Sequence, residues 1–179
     1  SDEPQPQGAY AEAKLAAERM LLQSALPVCL LRVAPLYGLP EGRQKLQGVI
    51  SLQVAPALKN QSFDQWGEDS VKDYLHRSDF CEALRRIVAQ RLQGDVWNVG
   101  SGVATHLREL VRIVEKTTGH QLEINLQPSP EWDVRDNRLD ITKLRGAIGW
   151  QPGVSIERGM ELESVRLRER FSQLLQRPA

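Results

Sequence analysis

Between Pro27 and Pro35 the chain runs Val28-Cys29-Leu30-Leu31-Arg32-Val33, apolar at all but one position. A strand with one wet face alternates polar and apolar residues. An unbroken apolar run instead marks a strand buried on both faces, as in a parallel sheet covered by helices. This segment points to an α/β fold.

The flanking patterns agree. Over residues 9–25, Leu15, Leu22 and Leu26 recur near one helical face, with Lys14, Glu18 and Arg19 between them, and Pro27 ends the helix. Pro35, Gly38, Pro40 and Gly42 break the next stretch into a loop, and residues 46–58 are helical in pattern. Short strands are expected at 63–66 and 72–76, with Gly67-Glu68-Asp69-Ser70 turning between them. Ser78 or Asp79 is placed to cap a helix running to about residue 91. Val96-Trp97-Asn98-Val99 is a strand followed by a Gly100-Ser101-Gly102 turn, and Thr105 is placed to cap a helix to about residue 118. A half-exposed strand at 122–126 and helices at 140–147 and 155–175 complete the chain.

Composition narrows the function. Twenty-three Lys and Arg balance 23 Asp and Glu, so the chain of 179 residues has no electrostatic footprint for nucleic acid or an anionic membrane. No apolar run has the length of a membrane span. The polar opening Ser1-Asp2-Glu3-Pro4 is unlike a signal peptide, which makes the cytoplasm the expected compartment. Cys29 and Cys81 read as reduced core residues, and the three histidines do not cluster, so no metal site is expected.

Tyr10-Ala11-Glu12-Ala13-Lys14 carries the chemistry. Residues four apart share one helical face, so phenol and ammonium can point into one site. A free tyrosine, with a pKa of about 10, is a poor base at neutral pH, and a neighbouring cation favours its phenolate. Such a phenolate can take a proton from a hydroxyl. Taken alone, the pair reads better as a Tyr and a Lys one turn apart on an exposed helix, because this spacing often arises by chance.

The order of segments is more specific. Tyr10-Ala-Glu-Ala-Lys14-Leu-Ala-Ala-Glu18 resembles the Y-x-x-x-K-x-x-x-E helix of the NAD-dependent epimerase/dehydratase family, among the extended short-chain dehydrogenase/reductases. Leu31-Arg32-Val33-Ala34-Pro35-Leu36-Tyr37-Gly38 resembles its R-x-x-N-x-Y-G segment, and Trp66 to His76 its G-x-G-x-x-x-R-D-[FY]-[IL]-[HY] segment. Trp97-Asn98-Val99-Gly100-Ser101-Gly102 resembles its Y-N-V-G-S-G turn, and Gly149-Trp150-Gln151-Pro152 its G-W-x-P ending.

The resemblance implies a partial Rossmann-like, doubly wound parallel sheet plus a small mixed α/β substrate-binding lobe. Residues 1–60 would supply the last part of the NAD(P)-binding domain, and 61–179 mainly the lobe, with segments around 72–100 returning to the sheet. It implies a nucleotide-sugar epimerase or dehydratase acting by transient oxidation of the sugar. NAD, or NADP, would be the cofactor and a nucleotide-diphosphate sugar the substrate. Tyr10 would be the base and Lys14 its partner, both also touching the cofactor, with Val33, Ala34 and Pro35 beside the nicotinamide. Pro35, Gln65, Trp66, Lys72, Arg135 and Arg138 would face the substrate.

Three departures stand out. The family's G-x-x-G-x-x-G dinucleotide loop is missing, and Ser1 is too near Tyr10 to be the family's catalytic Ser or Thr, so the chain is expected to begin inside the fold. Pro35 stands where the family has Asn, removing a side-chain amide and a backbone donor. Lys72 stands where it has a phosphate-binding Arg, and Pro130 where it has a later Arg, which leaves Arg135 or Arg138 as the substitute.

Other residues have plainer readings. Trp66 and Trp97 suit packing, Trp150 an anchor for the C-terminal segment, and His76 a satisfied buried imidazole. Arg85-Arg86 and the Arg/Glu stretch at 166–170 suit solvated helix faces. The resemblance also implies a homodimer through the Tyr/Lys helix, whose Ala9, Ala11, Ala13, Ala16 and Ala17 allow close approach. The same alanines equally suit packing of that helix on its own sheet. The competing function is a non-catalytic module of the same fold that binds a dinucleotide or a partner.

Overall fold

The apolar run does become a parallel strand. The computed structural model describes residues 3–38, 48–67, 69–130 and 133–175. Along the chain these form α1 (Gly8–Gln23), β1 (Cys29–Val33), β2 (Leu36–Tyr37), α2 (Val49–Lys59) and β3 (Phe63–Trp66). Next come β4 (Val71–Asp73), β5 (Leu75–His76), α3 (Arg77–Ala89), β6 (Asp95–Val99) and β7 (Ala104–His106). The last are α4 (Leu107–Thr118), β8 (Ile124–Gln127), β9 (Asp136–Asn137), α5 (Thr142–Ile148) and α6 (Ile156–Leu175). The expected helix start at Leu46, the loop residues Pro40 and Gly42, Glu68 and Trp132 lie outside the described residues.

β1 pairs in parallel with β6, Leu31 opposite Trp97 and Arg32 opposite Asn98. The Ala34 amide extends this ladder by donating to the Val99 carbonyl at 2.9 Å. At Pro35 the chain changes partners. Its carbonyl accepts from the Leu75 amide, and β2 then runs parallel to β5. Parallel pairing also joins β3 to β8 and β4 to β9, whereas β4 and β7 are antiparallel. The α/β architecture with parallel strands is as expected.

Two cores divide the packing. One lies beneath β1 and β6, where Val99, Ala83, Ile87, Leu144, Ile148 and Trp150 meet. Trp150 is buried there, as an anchor should be. The other is a three-helix core of α2, α4 and α6 built on Val54, Leu110, Val114, Met160 and Leu167, with Phe63 and Ile124 at its edge. Burying a leucine such as Leu110 contributes roughly 2 kcal/mol. Thus α2 packs with α4 and α6, while α5 and Trp150 pack on the sheet of β1 and β6.

Several local expectations are corrected. β1 is half-buried rather than buried on both faces. Cys29 and Leu31 pack towards the core, whereas Arg32 turns to α1 and Val33 is exposed. The intended apolar stripe of α1 is open too, since Leu22 and Leu26 are exposed. Residues 36 and 37 form a strand, not a loop, because β5 offers them a ladder. Thr105 does not cap α4. It lies in β7 opposite Lys72, so the antiparallel ladder claims it and His106 takes the cap position. α3 is capped by His76, whose side chain accepts from the Ser78 amide, while Asp79 accepts from the Gly153 and Val154 amides. Cys81 is exposed, because it lies two residues from each of the buried positions Asp79 and Ala83 and so on the opposite face of α3. Arg85 and Arg86 do share Glu82 on a solvated face, and hold its carboxyl down to about 2. Arg166, by contrast, is drawn in to the buried Glu163, which also accepts from Ser51.

Candidate active site

Helical spacing brings Tyr10 and Lys14 together as expected. The Lys14 ammonium lies 5.5 Å from the centroid of the Tyr10 ring, a cation–π contact. Tyr10 is 77% exposed. Only Ala11, Leu15 and Glu18 of α1 are half-buried, a stripe that faces inwards at i, i+4 and i+7. Glu18 anchors the helix to β1: its two carboxylate oxygens accept from the Arg32 guanidinium at 2.9 and 2.5 Å. Val33, Ala34 and Pro35 follow at the C-terminal end of β1, with Ala34 buried and the other two exposed.

A second feature lies where β3, β4 and the residues around 130 converge. It is a cavity of about 460 Å³ with a mainly apolar wall. Pro35, Trp66 and Lys72 line it, together with Tyr74 and Asp133, and Val49, Ser70, Leu107 and Pro130 close its sides. Trp66 is 56% exposed, so it is a wall of this cavity and not the packing aromatic first expected, whereas Trp97 is buried. Gln65, its neighbour on β3, points the opposite way because side chains alternate along a strand. It is buried, accepting from Gln53 and donating to the Gly67 carbonyl.

Lys72 is not a free cation. Its ammonium lies 2.5 Å from Asp133 Oδ1, and the two side chains are 23% and 14% exposed. Burial and the Asp133 charge push the Tyr74 phenol up to about 12, so it is a hydrogen-bond donor at neutral pH. Arg135 and Arg138 do not line the cavity. The Arg135 carbonyl accepts from the Val71 amide, and the Arg138 guanidinium folds back on Asp136.

The site thus brings together Tyr10 with Lys14 at one place, and Pro35 with Trp66 and Lys72 at another. Tyr74 and Asp133 were missed as pocket residues. Tyr74 follows Lys72 by two positions in the quoted segment, which was the available signal. For Asp133 the signal was the family's later Arg, which stands just before the Asp of Trp132-Asp133-Val134; its pairing with Lys72, across 61 residues, had none. His76 is buried and bonded to Ser78 Oγ at 2.7 Å, as expected of a satisfied imidazole. No group of three or more potential metal ligands occurs among the described residues. Among them, too, no helix is long and apolar enough to cross a membrane.

Comparisons with known proteins bear on these features. A model of the family described as NAD dependent epimerase/dehydratase matches residues 1–100. The UDP-glucose 4-epimerase of Mycolicibacterium smegmatis is 29% identical over 160 residues, covering 87% of this chain and 51% of that protein. The UDP-glucuronic acid decarboxylase 2 of Arabidopsis thaliana is 28% identical over 170 residues, 90% of this chain and 37% of that protein. The chain therefore spans about half the length, or less, of these curated relatives. The Thermus thermophilus UDP-glucose 4-epimerase, solved in complex with NAD, superposes with a TM-score of 0.84 at 26% identity, over 94% of this chain and 57% of that one.

Proposed function

The chain belongs to the NAD dependent epimerase/dehydratase family, and on that premise we propose that it is the catalytic and sugar-binding part of a nucleotide-sugar epimerase or dehydratase. The observation that carries this reading is the Tyr10–Lys14 pair on the open face of a helix that Glu18 ties to β1.

The residues present fit the nicotinamide end of NAD(P). Tyr10 and Lys14 offer a phenol and an ammonium on accessible surface, and the exposed Val33 and Pro35 offer a non-polar strand end nearby in the chain. Bound NAD(P) would supply the hydride acceptor for the sugar carbon. Tyr10 takes the proton from the sugar hydroxyl at its phenolic oxygen. Lys14, beside the Tyr10 ring, would donate to the cofactor ribose. The nucleotide-diphosphate sugar lies along the cavity, with Trp66 and Tyr74 against its nucleoside part and Lys72 as the cation nearest its phosphates. The relatives named above differ in reaction, and the step that follows oxidation distinguishes them.

Tyr10→Phe in the whole protein tests this. It should lower kcat by about 10²–10⁴-fold with nucleotide-sugar affinity nearly unchanged. A variant with half the wild-type kcat would make Tyr10 a surface residue and remove the catalytic reading.

A further inference from the structure

We propose that Asp73 is a positioning residue for ligand capture: from behind the cavity it fixes the segment that carries Lys72 and Tyr74, and so sets how firmly the phosphate end of the ligand is held. The proposal rests on reading this cavity as the nucleotide site.

Side chains alternate along a strand. Lys72 and Tyr74 line the cavity, so Asp73 between them points away from it, and its carboxylate is fully buried. A buried carboxylate needs a full set of donors. Its Oδ1 accepts from the Ser101 amide at 2.7 Å and the Ser101 hydroxyl at 2.6 Å, and its Oδ2 from the Gly102 amide at 2.9 Å. Gly100 makes this approach possible, since a Cβ there would stand 2.3 Å from Oδ2. The φ of Gly100 is not left-handed, so close contact rather than conformation calls for glycine.

These bonds join parts that no ladder joins. β4 pairs with β7 and β9, whereas the turn at residues 100–102 leaves β6, which pairs with β1. Val99, the last residue of β6, also accepts from the Ala34 amide, beside Pro35 of the cavity wall. Beyond Tyr74, the Leu75 amide donates to the Pro35 carbonyl. Residues 73–75 are thus held at both ends, with Tyr74 between the two attachments and Lys72 just outside them. The Lys72 side chain is only 23% exposed, so its packed stem carries a displacement of the backbone on to the ammonium. A shift of a fraction of an ångström there weakens a charge-assisted contact.

Asp73→Asn keeps an acceptor for Ser101 but turns an amide NH2 towards the Gly102 N–H. Calorimetric titration of the whole protein and this variant with UDP and with uridine tests the role. The variant should bind UDP about tenfold or more weakly, with uridine affinity within about twofold of wild type. With the nucleotide sugar, KM should rise by more than kcat falls. Ser101→Ala removes one of the three donors and leaves the carboxylate in place. It should weaken UDP in the same sense, by about threefold.

Equal loss of UDP and uridine binding is what a merely structural carboxylate would give, and it overturns the positioning role. Unchanged UDP binding by a folded Asp73→Asn protein overturns it too. Where that variant does not fold, Ser101→Ala decides by the same two criteria. In each of these cases the nucleotide reading stands. A wild-type protein that binds neither UDP nor uridine removes the nucleotide reading and the proposal with it.

Discussion

Glu18 and Arg32 form a two-pronged ion pair, 2.9 and 2.5 Å, between the open helix α1 and the strand β1. Arg32 also stands opposite Asn98 in the ladder with β6, so the pair fixes the helix that carries Tyr10 to the sheet. The Glu18 carboxylate in turn holds the guanidinium above its ordinary value. Glu18→Ala should cost only about 1 kcal/mol of stability, because the pair is partly exposed. It should lower kcat of the whole protein by roughly tenfold or more, because a small misplacement of the base is costly. Denaturant melts and steady-state rates of the same variant measure both, and an unchanged kcat would mean that α1 keeps its place without the pair.

Gly159, in α6, is a position where alanine should not help the helix. A Cβ there would stand 2.0 Å from the Tyr37 hydroxyl and 2.5 Å from its ring. Tyr37 is fully buried, so the ring has little room to withdraw. Gly159→Ala should therefore destabilise by about 1–3 kcal/mol despite the better helix propensity of alanine. Urea unfolding checks it, and a gain in stability would show that Tyr37 moves freely.

Stability should rise with pH through the titration of His76. Burial lowers its pKa below the ordinary 6.5, against the opposing pull of Asp79 and Glu163 and with the help of Arg77. The unfolded chain then binds the proton more readily than the folded one, so this contribution is present above 6.5 and lost as pH falls through the folded value. His76→Asn should flatten the slope of unfolding free energy between about pH 5 and 7. A slope equal to that of wild type would exonerate the imidazole.

Tyr74 provides the opposite sign. Its phenol, ordinarily at 10, is pushed up to about 12 by burial and Asp133. The folded chain keeps the proton longer, so stability present below pH 10 is lost as pH rises through the folded value. Ultraviolet titration at alkaline pH should lose one late-titrating tyrosine in Tyr74→Phe.

The 179-residue chain should show no micromolar binding of NAD or NADP, because its sequence has no glycine loop to hold the pyrophosphate. Calorimetry decides, and micromolar affinity would require a cofactor site made from other residues. In the whole protein the alanine-rich, exposed face of α1 should mediate a homodimer, for which sedimentation equilibrium is the measurement. A monomer at high concentration would leave those alanines to intramolecular packing.

Local chemistry was the legible part of the sequence. Tyr10 and Lys14 share a face because about four residues make one helical turn, and the short apolar run between Pro27 and Pro35 reads as a strand, which forms over Cys29–Val33. Distant pairings were not legible. Nothing near Lys72 announces Asp133, and nothing near Thr105 announces that a ladder with β4 takes it from the helix. β2 and β9 have two residues each, too few for any periodicity to mark. Arg166 looked like a solvated charge because burial of Glu163 depends on Ser51, 112 residues away.

The buried carboxylate of Asp73 accepts from the Ser101 amide and hydroxyl and from the Gly102 amide, while Gly100 leaves room for it where a Cβ would stand 2.3 Å from Oδ2. Lys72 is the residue before it. The main chain beneath the pocket's one described cation is thus clamped to a turn formed 28 residues later. Capturing a ligand cannot draw on backbone motion at that point. It becomes a matter of rotamer exchange along a four-carbon stem, on a scale of about picoseconds to nanoseconds, with the ordering entropy of the strand already spent in folding. The strand under Lys72 is held, and the ammonium at the end of its stem is the part left to exchange oxygen partners.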